Sequence, residues 1–188
     1  MESFVALDFE TANRVRASAC AIGLVRFDHN GEVEDSLYTL LKPHPDYAVF
    51  EYGNMQVHGI LPEQVEHAPT WEDIFPAVAD FIGDIPVVAH NMAFDGYILS
   101  DLAALYDHDP IMNRRYCTLR LARKLLDHAM RKNLAQVFNY YYPDRAFTHH
   151  HAGEDALAAG MIFSRMQAEH SIEVLAKLCP PTGKHIHS

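Results

Sequence analysis

The chain has 188 residues, 49% of them hydrophobic, and a formal net charge of −10, enough for one globular domain with a full core. No run of about 18 apolar residues occurs, which excludes a helical membrane span. Cys20, Cys117 and Cys179 are scattered without metal-site spacing, so reduced thiols in a cytoplasmic protein are expected rather than a disulfide framework.

The chain enters its first predicted strand at once, at Phe4-Val5-Ala6-Leu7-Asp8-Phe9-Glu10-Thr11, and no signal peptide is expected. Four consecutive apolar residues read as a strand buried on both faces. Side chains alternate along a strand, so Asp8 and Glu10 project two carboxylates side by side from its end. Two like charges ~4 Å apart repel by roughly 4 kcal/mol at an effective dielectric near 20. A shared proton, a basic partner or a metal ion must offset that repulsion. Arg14 and Arg16 are the nearest basic residues, and a plain salt-bridge cluster is the alternative to a metal site.

Ala19–Phe27 reads as a second strand, Asp28-His29-Asn30-Gly31 as a hairpin turn, and residues 33–41 as a third strand closed by Pro43 and Pro45. These three strands form an antiparallel meander. Residues 61–65 and 70–82 read as helices, the latter with Thr70 and Asp73 as a capping-box variant. Val87-Val88-Ala89 is a fourth strand, and His90-Asn91-Met92-Ala93-Phe94-Asp95 leads into a helix with Ile98, Leu102 and Leu105 at helical spacing. Asp95 lies in its first turn, where on its own evidence it reads as a cap rather than a ligand. A short strand is expected near Ile111, then helices over 119–128, 134–140, 154–170 and 171–179, the last stopped by Pro180-Pro181. Thr148-His149-His150-His151 precedes Ala152-Gly153-Glu154-Asp155. His150 in the loop and Asp155 in the following helix can reach one site, being little more than a helical turn apart. Residues 1–179 are expected as a single domain. Residues 180–188 are expected to be a loose tail or the start of a linker.

Asp8-Phe9-Glu10-Thr11, His90-Asn91-Met92-Ala93-Phe94-Asp95, and His150-His151-Ala152-Gly153-Glu154-Asp155 resemble the three exonuclease motifs of the DEDDh 3′→5′ exonucleases. The resemblance runs most strongly toward the proofreading epsilon subunit of bacterial DNA polymerase III and its free-standing relatives, from about residue 4 to about residue 165. Val57-His58-Gly59-Ile60 and Cys117-Thr118-Leu119 resemble lesser family segments. The triple histidine departs from the pattern; family spacing to Asp155 selects His150 over His151 and His149. The resemblance implies an α/β, ribonuclease H-like three-layer fold, with a central mixed five-stranded sheet, an antiparallel meander followed by parallel strands, flanked by helices.

Carboxylate ligands favour hard cations, so two divalent ions, Mg²⁺ or Mn²⁺, are expected. By resemblance, Asp8 bridges both ions, Glu10 and Asp155 complete the tighter site, Asp95 acts through water, and His150 is the general base. An imidazole with a pKa near 6.5 suits that task. Among substrate contacts, the resemblance offers Thr11 and the Phe9 backbone at the terminal nucleotide. His58 and Phe94 are stacking or wedge candidates; His58 reads equally well as a packing residue, and Phe94 reads mostly as core. Asn91 orients the second motif. Tyr140-Tyr141-Tyr142 reads as core plus surface.

Residues 113–145 hold eight basic and two acidic residues, a local +6 that leaves −16 on the remainder. This basic segment is either a phosphate-contacting surface or a solvated helix face. The expected partner is single-stranded or 3′-end nucleic acid, DNA before RNA, with a DNA polymerase or an additional domain as a further partner. An RNA exonuclease, a polymerase-associated binding module and a simple metal-binding protein are the competing readings.

Overall fold

The computed structural model describes residues 1–182. Three strands open the chain: β1 (Phe4–Thr11), β2 (Ala19–Phe27) and β3 (Val33–Leu40). They form the expected meander, with β1 and β2 antiparallel and Asp8 directly opposite Gly23. The turn between β2 and β3 closes on Asp28, whose carboxylate accepts the backbone N–H groups of Asn30 and Glu32 at 2.8 and 2.9 Å. Gly31 supplies the positive φ of 83° that the turn requires.

Two short parallel strands, β4 (Val87–Ala89) and β5 (Arg115–Cys117), complete a five-stranded sheet in the order β3-β2-β1-β4-β5. The last strand falls at Arg115–Cys117, not near Ile111 as expected from the sequence. Ile111 instead packs as a partly buried residue on the core between sheet and helices.

The parity of β1 builds the layers. Phe4 and Ala6 face one side, where they meet α7 (Ala152–Glu169), α5 (Thr118–Leu125), α6 (Leu134–Tyr141) and α8 (Ile172–Leu178). Val5, Leu7 and Phe9 face the other, against α3 (Trp71–Ile82) and α4 (Met92–Leu105). All five are at most 2% exposed, and each large side chain so buried contributes roughly 1.5–3 kcal/mol. The result is an α/β three-layer fold with a mixed central sheet.

Two short helices, α1 (Tyr52–His58) and α2 (Pro62–Val65), lie between β3 and α3. The sequence pattern did not show α1: Gly53 and Asn54 are poor helix formers. It is anchored from outside, where Asn54 Nδ2 donates to the Thr11 carbonyl at 2.9 Å and Glu51 N–H donates to Ala12 O at 2.8 Å.

Of the stretch set apart as a tail, Thr182 is tied down. It exchanges both backbone hydrogen bonds with Arg115, at 2.7 and 3.0 Å. Residues 183–188 lie outside the described residues. Among the described residues no helix is long and apolar enough to cross a membrane.

Candidate active site

Asp8 and Glu10 continue the Phe4–Ala6 face of β1 beyond its apolar run, toward the side covered by α7. Gly23 stands opposite Asp8 on that face. A Cβ at Gly23 would overlap the carbonyl of Ala152, so the glycine lets the first turn of α7 lie directly on β2. That approach brings Asp155 to the strand. One oxygen from each of Asp8, Glu10 and Asp155 lies within 4.8 Å of the others.

Asp95 arrives from the opposite layer. It is 1% exposed, and its Oδ1 accepts the Phe9 N–H at 3.1 Å across the end of β1. It does not cap α4: the N-cap is Asn91, in the left-handed region at φ 82° and without a side-chain capping bond. The capping expectation is therefore corrected.

The salt-bridge alternative is also excluded. Arg14 pairs with Glu51 at 3.3 Å and Arg16 with Asp101 at 3.0 Å. Among the described residues no arginine or lysine bridges the carboxylate cluster. Its electrostatics follow directly. Burial, then repulsion from Asp95, Glu10 and Asp155, pushes the Asp8 carboxyl well above its usual range. Burial and then Asp155 raise Glu10 to about 7. Burial also raises Asp95, despite the opposing bond from Phe9. A set of carboxylate oxygens held together against their own charge, without a fixed basic partner, has the chemistry of a hard divalent-cation site. The residues fit such a group.

The triple histidine divides its tasks. His151 caps α7, its Nδ1 accepting the Glu154 N–H at 3.4 Å, and stacks on Tyr38 with centroids 4.2 Å apart. His150 adopts φ 66°, and its backbone N–H donates to Asp155 Oδ2 at 3.0 Å. Its ring lines the cleft. Burial, followed by the neighbouring His149, lowers the His150 pKa below the ordinary imidazole value. His149, the least favoured of the three from spacing, places Nδ1 2.9 and 3.0 Å from the two Asp155 oxygens.

Asp8, Glu10, His149, His150 and Asp155, but not Asp95 or His151, line an open cleft of about 560 Å³ that also includes Phe9, Phe94, Arg123, Lys132 and Asn133. Phe94 is 39% exposed, which corrects its reading as core. Three sequence candidates lie elsewhere. Asn91 lines a neighbouring pocket of about 430 Å³. Thr11 is buried, its carbonyl accepting from Asn54 and from His58 Nε2 at 3.2 Å. His58 Nδ1 accepts the Ile60 N–H at 3.0 Å, so both ring nitrogens serve the fold, and burial lowers its pKa.

His90 and Asn133 were not singled out from the sequence as site residues, and Arg123 and Lys132 only as members of the basic segment over 113–145. His90 Nε2–H donates to Lys132 O at 2.8 Å, while Nδ1 takes the Thr118 hydroxyl at 2.9 Å. Burial holds this imidazole neutral, with a pKa near 4. It thereby clamps the segment carrying Lys132 and Asn133 to the cleft. Its place directly after β4 was the available signal. Arg114 and Arg115 are not part of the cleft: Arg114 pairs with Glu2, and Arg115 donates to the carbonyls of Gly96 and Ile111.

The RNase_T family model, described as an exonuclease, matches residues 5–163. The PolC-type DNA polymerase III of Clostridium perfringens is 28% identical over 180 residues, 91% of this chain but 12% of that protein. The chain thus spans about an eighth of that relative's length. The DNA polymerase III subunit epsilon of Aquifex aeolicus is 25% identical over 170 residues, 89% of this chain and 81% of the relative. Among solved structures, exonuclease X in complex with 5′-overhanging duplex DNA superposes with a TM-score of 0.70 at 22% identity, covering 93% of this chain and 98% of the other. The nuclease domain of 3′hExo, a DEDDh family member bound to rAMP, gives a TM-score of 0.76 at 16% identity, covering 89% and 92%. These two likenesses show a shared ribonuclease H-like fold. Taken with the family match over most of its length, the two polymerase III relatives and the acidic cleft at the end of β1, they show that the chain belongs to the DEDDh 3′→5′ exonuclease family.

Proposed function

We propose that this chain hydrolyses phosphodiester bonds from the 3′ end of single-stranded or frayed DNA, releasing nucleoside 5′-monophosphates. The observation that carries the reading is the convergence of Asp8, Glu10 and Asp155 on one point, beside a cleft that also presents His150, Phe94, Arg123 and Lys132. Asp8, Glu10 and Asp155 would hold two divalent cations, Mg²⁺ or Mn²⁺, with Asp95 as a further carboxylate at the end of β1. When bound, the cations activate water and neutralise charge on the pentacovalent phosphorus and the leaving 3′-oxygen.

The chain's own groups supply the rest. His150, neutral at physiological pH, takes a proton from the attacking water as the bond from phosphorus to the 3′-oxygen breaks. Phe94 offers an exposed ring against a base, a contact worth roughly 1–3 kcal/mol without sequence preference. Arg123 faces the phosphates, and Lys132, whose ammonium donates to the Asp127 and Met130 carbonyls, adds its charge beside it. The Phe9 N–H is occupied by Asp95, and Asn54 and His58 hold the buried Thr11 at the end of β1, behind the cleft.

A DNA polymerase or a further domain is the favoured partner, because similar segments occur within much longer PolC-type chains. Residues 1–179 act as one domain. Three buried, unpaired cysteines support a reducing, cytoplasmic setting. The test uses DNA and RNA oligomers of equal sequence, labelled at either end, with Mg²⁺, Mn²⁺ or EDTA. Metal-dependent release of mononucleotides from the 3′ end, faster on DNA, is expected. Faster release from RNA would select the RNA-trimming alternative, and no release from either would refute the nuclease reading.

A further inference from the structure

His151 caps α7 and His150 serves as the proposed base, yet His149 also lies against the acidic cleft with no such task. Its Nδ1 faces both oxygens of Asp155 at 2.9 and 3.0 Å, and its ring stacks on His150 with centroids 3.8 Å apart. One nitrogen from each of these imidazoles and one Asp155 oxygen all lie within 4.8 Å of one another. We propose that His149, His150 and Asp155 form a site for a borderline transition-metal cation, Zn²⁺ foremost, and that its occupation inhibits the enzyme.

The donor set decides the metal. Imidazole nitrogen suits zinc and its neighbours, whereas Mg²⁺ prefers oxygen throughout. Ligands bound at about 2.0–2.1 Å in a tetrahedron stand roughly 3.3 Å apart, so the three donors, within 4.8 Å of one another, draw together as the stacked rings turn to aim their lone pairs at one point. Three protein ligands leave a fourth position open to water or to a phosphate oxygen in the cleft. A zinc ion here replaces the hydrogen between His149 Nδ1 and the Asp155 carboxylate; the neutral ring then carries its hydrogen on Nε2.

Inhibition follows from the shared residues and rests on the nuclease reading above. Asp155 belongs both to this set and to the Asp8–Glu10–Asp155 cluster. Zinc bound through the histidines draws Asp155 away from the carboxylates, and it occupies the lone pair that His150 needs to accept a proton.

The experiment has two arms on the whole chain. In Mg²⁺-free buffer, Zn²⁺ is titrated calorimetrically, and Co²⁺ is added as a spectroscopic probe of nitrogen ligation. His149→Asn keeps a side chain able to hydrogen-bond Asp155 but ligates zinc poorly; it is expected to weaken Zn²⁺ binding at least tenfold and to remove the corresponding Co²⁺ absorption. His149→Gln is the second variant, with thermal melts confirming that each folds. Glu10→Gln dismantles the carboxylate cluster and is expected to retain Zn²⁺ affinity within about threefold. In the second arm, Zn²⁺ is titrated into the Mg²⁺-supported reaction, each variant measured against its own zinc-free rate. The half-inhibitory concentration should rise at least tenfold in His149→Asn. Equal zinc affinity in wild type and both His149 variants overturns the site. Weakened binding with an unmoved half-inhibitory concentration overturns the inhibition. Should the wild type show no turnover with Mg²⁺ or Mn²⁺, the nuclease reading fails, and the calorimetric arm alone decides the metal site.

Discussion

His150 holds a backbone conformation, φ 66°, that non-glycine residues visit at a cost of order 1–3 kcal/mol when the surroundings enforce it. The enforcing contact is its own N–H on Asp155 Oδ2, which ties the proposed base to a proposed cation ligand. Replacement by Ala removes the imidazole but leaves the carboxylates, so His150→Ala should lower turnover by about 10²–10⁴ with near-normal Mn²⁺ affinity by calorimetry. Asp8→Ala should lose both. Normal turnover in either variant would remove that residue from the mechanism. The pH profile carries a sign. Burial and His149 lower the His150 pKa, so the neutral, proton-accepting ring persists below pH 6.5, and the acid limb of the turnover profile should lie beneath that value. An acid limb above pH 7 under saturating metal would contradict this assignment. Spacing to Asp155 selected His150 as the base. It could not show that His149 also reaches Asp155, because a positive φ leaves no mark on residue order.

Strand β2 and helix α7 meet through a glycine. Gly23 faces α7 from β2, opposite Asp8, and a Cβ there would collide with the Ala152 backbone. Gly160 plays a similar part farther along α7, against the ring of Phe27. Both Gly→Ala changes should destabilise by about 1–3 kcal/mol through overpacking, measured by urea unfolding. Only Gly23→Ala shifts the start of α7, and with it Asp155 and His150. A displacement near 1 Å can cost about 100-fold in rate, so Gly23→Ala should lose at least tenfold in turnover at temperatures where it remains folded, while Gly160→Ala stays near wild type. Equal turnover in the two variants would show that the close approach at Gly23 does not set the site. Elements with long apolar patterns were legible in the sequence: β1, β2, α3, α4 and α7 all fall where expected. The exceptions have physical reasons. Arg115–Cys117 is a three-residue strand that pairs beside β4 without any alternation of its own, and α1 is held by tertiary bonds to the end of β1. The clamp from His90 to Lys132 spans 42 residues, so the cleft residues it positions could not be found by local pattern.

Charge at the scale of the whole chain is distributed more narrowly than the basic segment suggested. Arg114 and Arg115 serve the fold, while Arg123 and Lys132 line the cleft. Two phosphate contacts predict a weak salt dependence, with log affinity for a single strand falling by about 1.4 per tenfold increase in salt. A slope steeper than about −4 would mean that most of the basic segment binds phosphates. The carboxylate cluster has a larger consequence for stability. Glu10 rises from its ordinary 4.5 to about 7 in the folded, metal-free chain, and Asp8 and Asp95 shift the same way. Between the unfolded and folded values the native state binds more protons than the unfolded state, so stability falls as pH rises. His90 has the opposite sign: lowered to about 4, it removes stability as pH falls below 6.5 and offsets the carboxylates in that range. His58 and His150, also lowered, act in the same direction as His90, so the window from about pH 7 to 8.5, where an unfolded imidazole is already mostly neutral, best isolates the cluster. There, thermal unfolding in EDTA should show stability declining with pH, by about 0.4 kcal/mol from Glu10 alone and further from Asp8 and Asp95. Glu10→Gln should flatten the decline, and excess Mg²⁺ or Mn²⁺ should reverse it most strongly at the alkaline end, where the empty cluster carries most charge. Stability in EDTA that stays flat or rises across this window would mean that the three acids are not crowded in the folded chain.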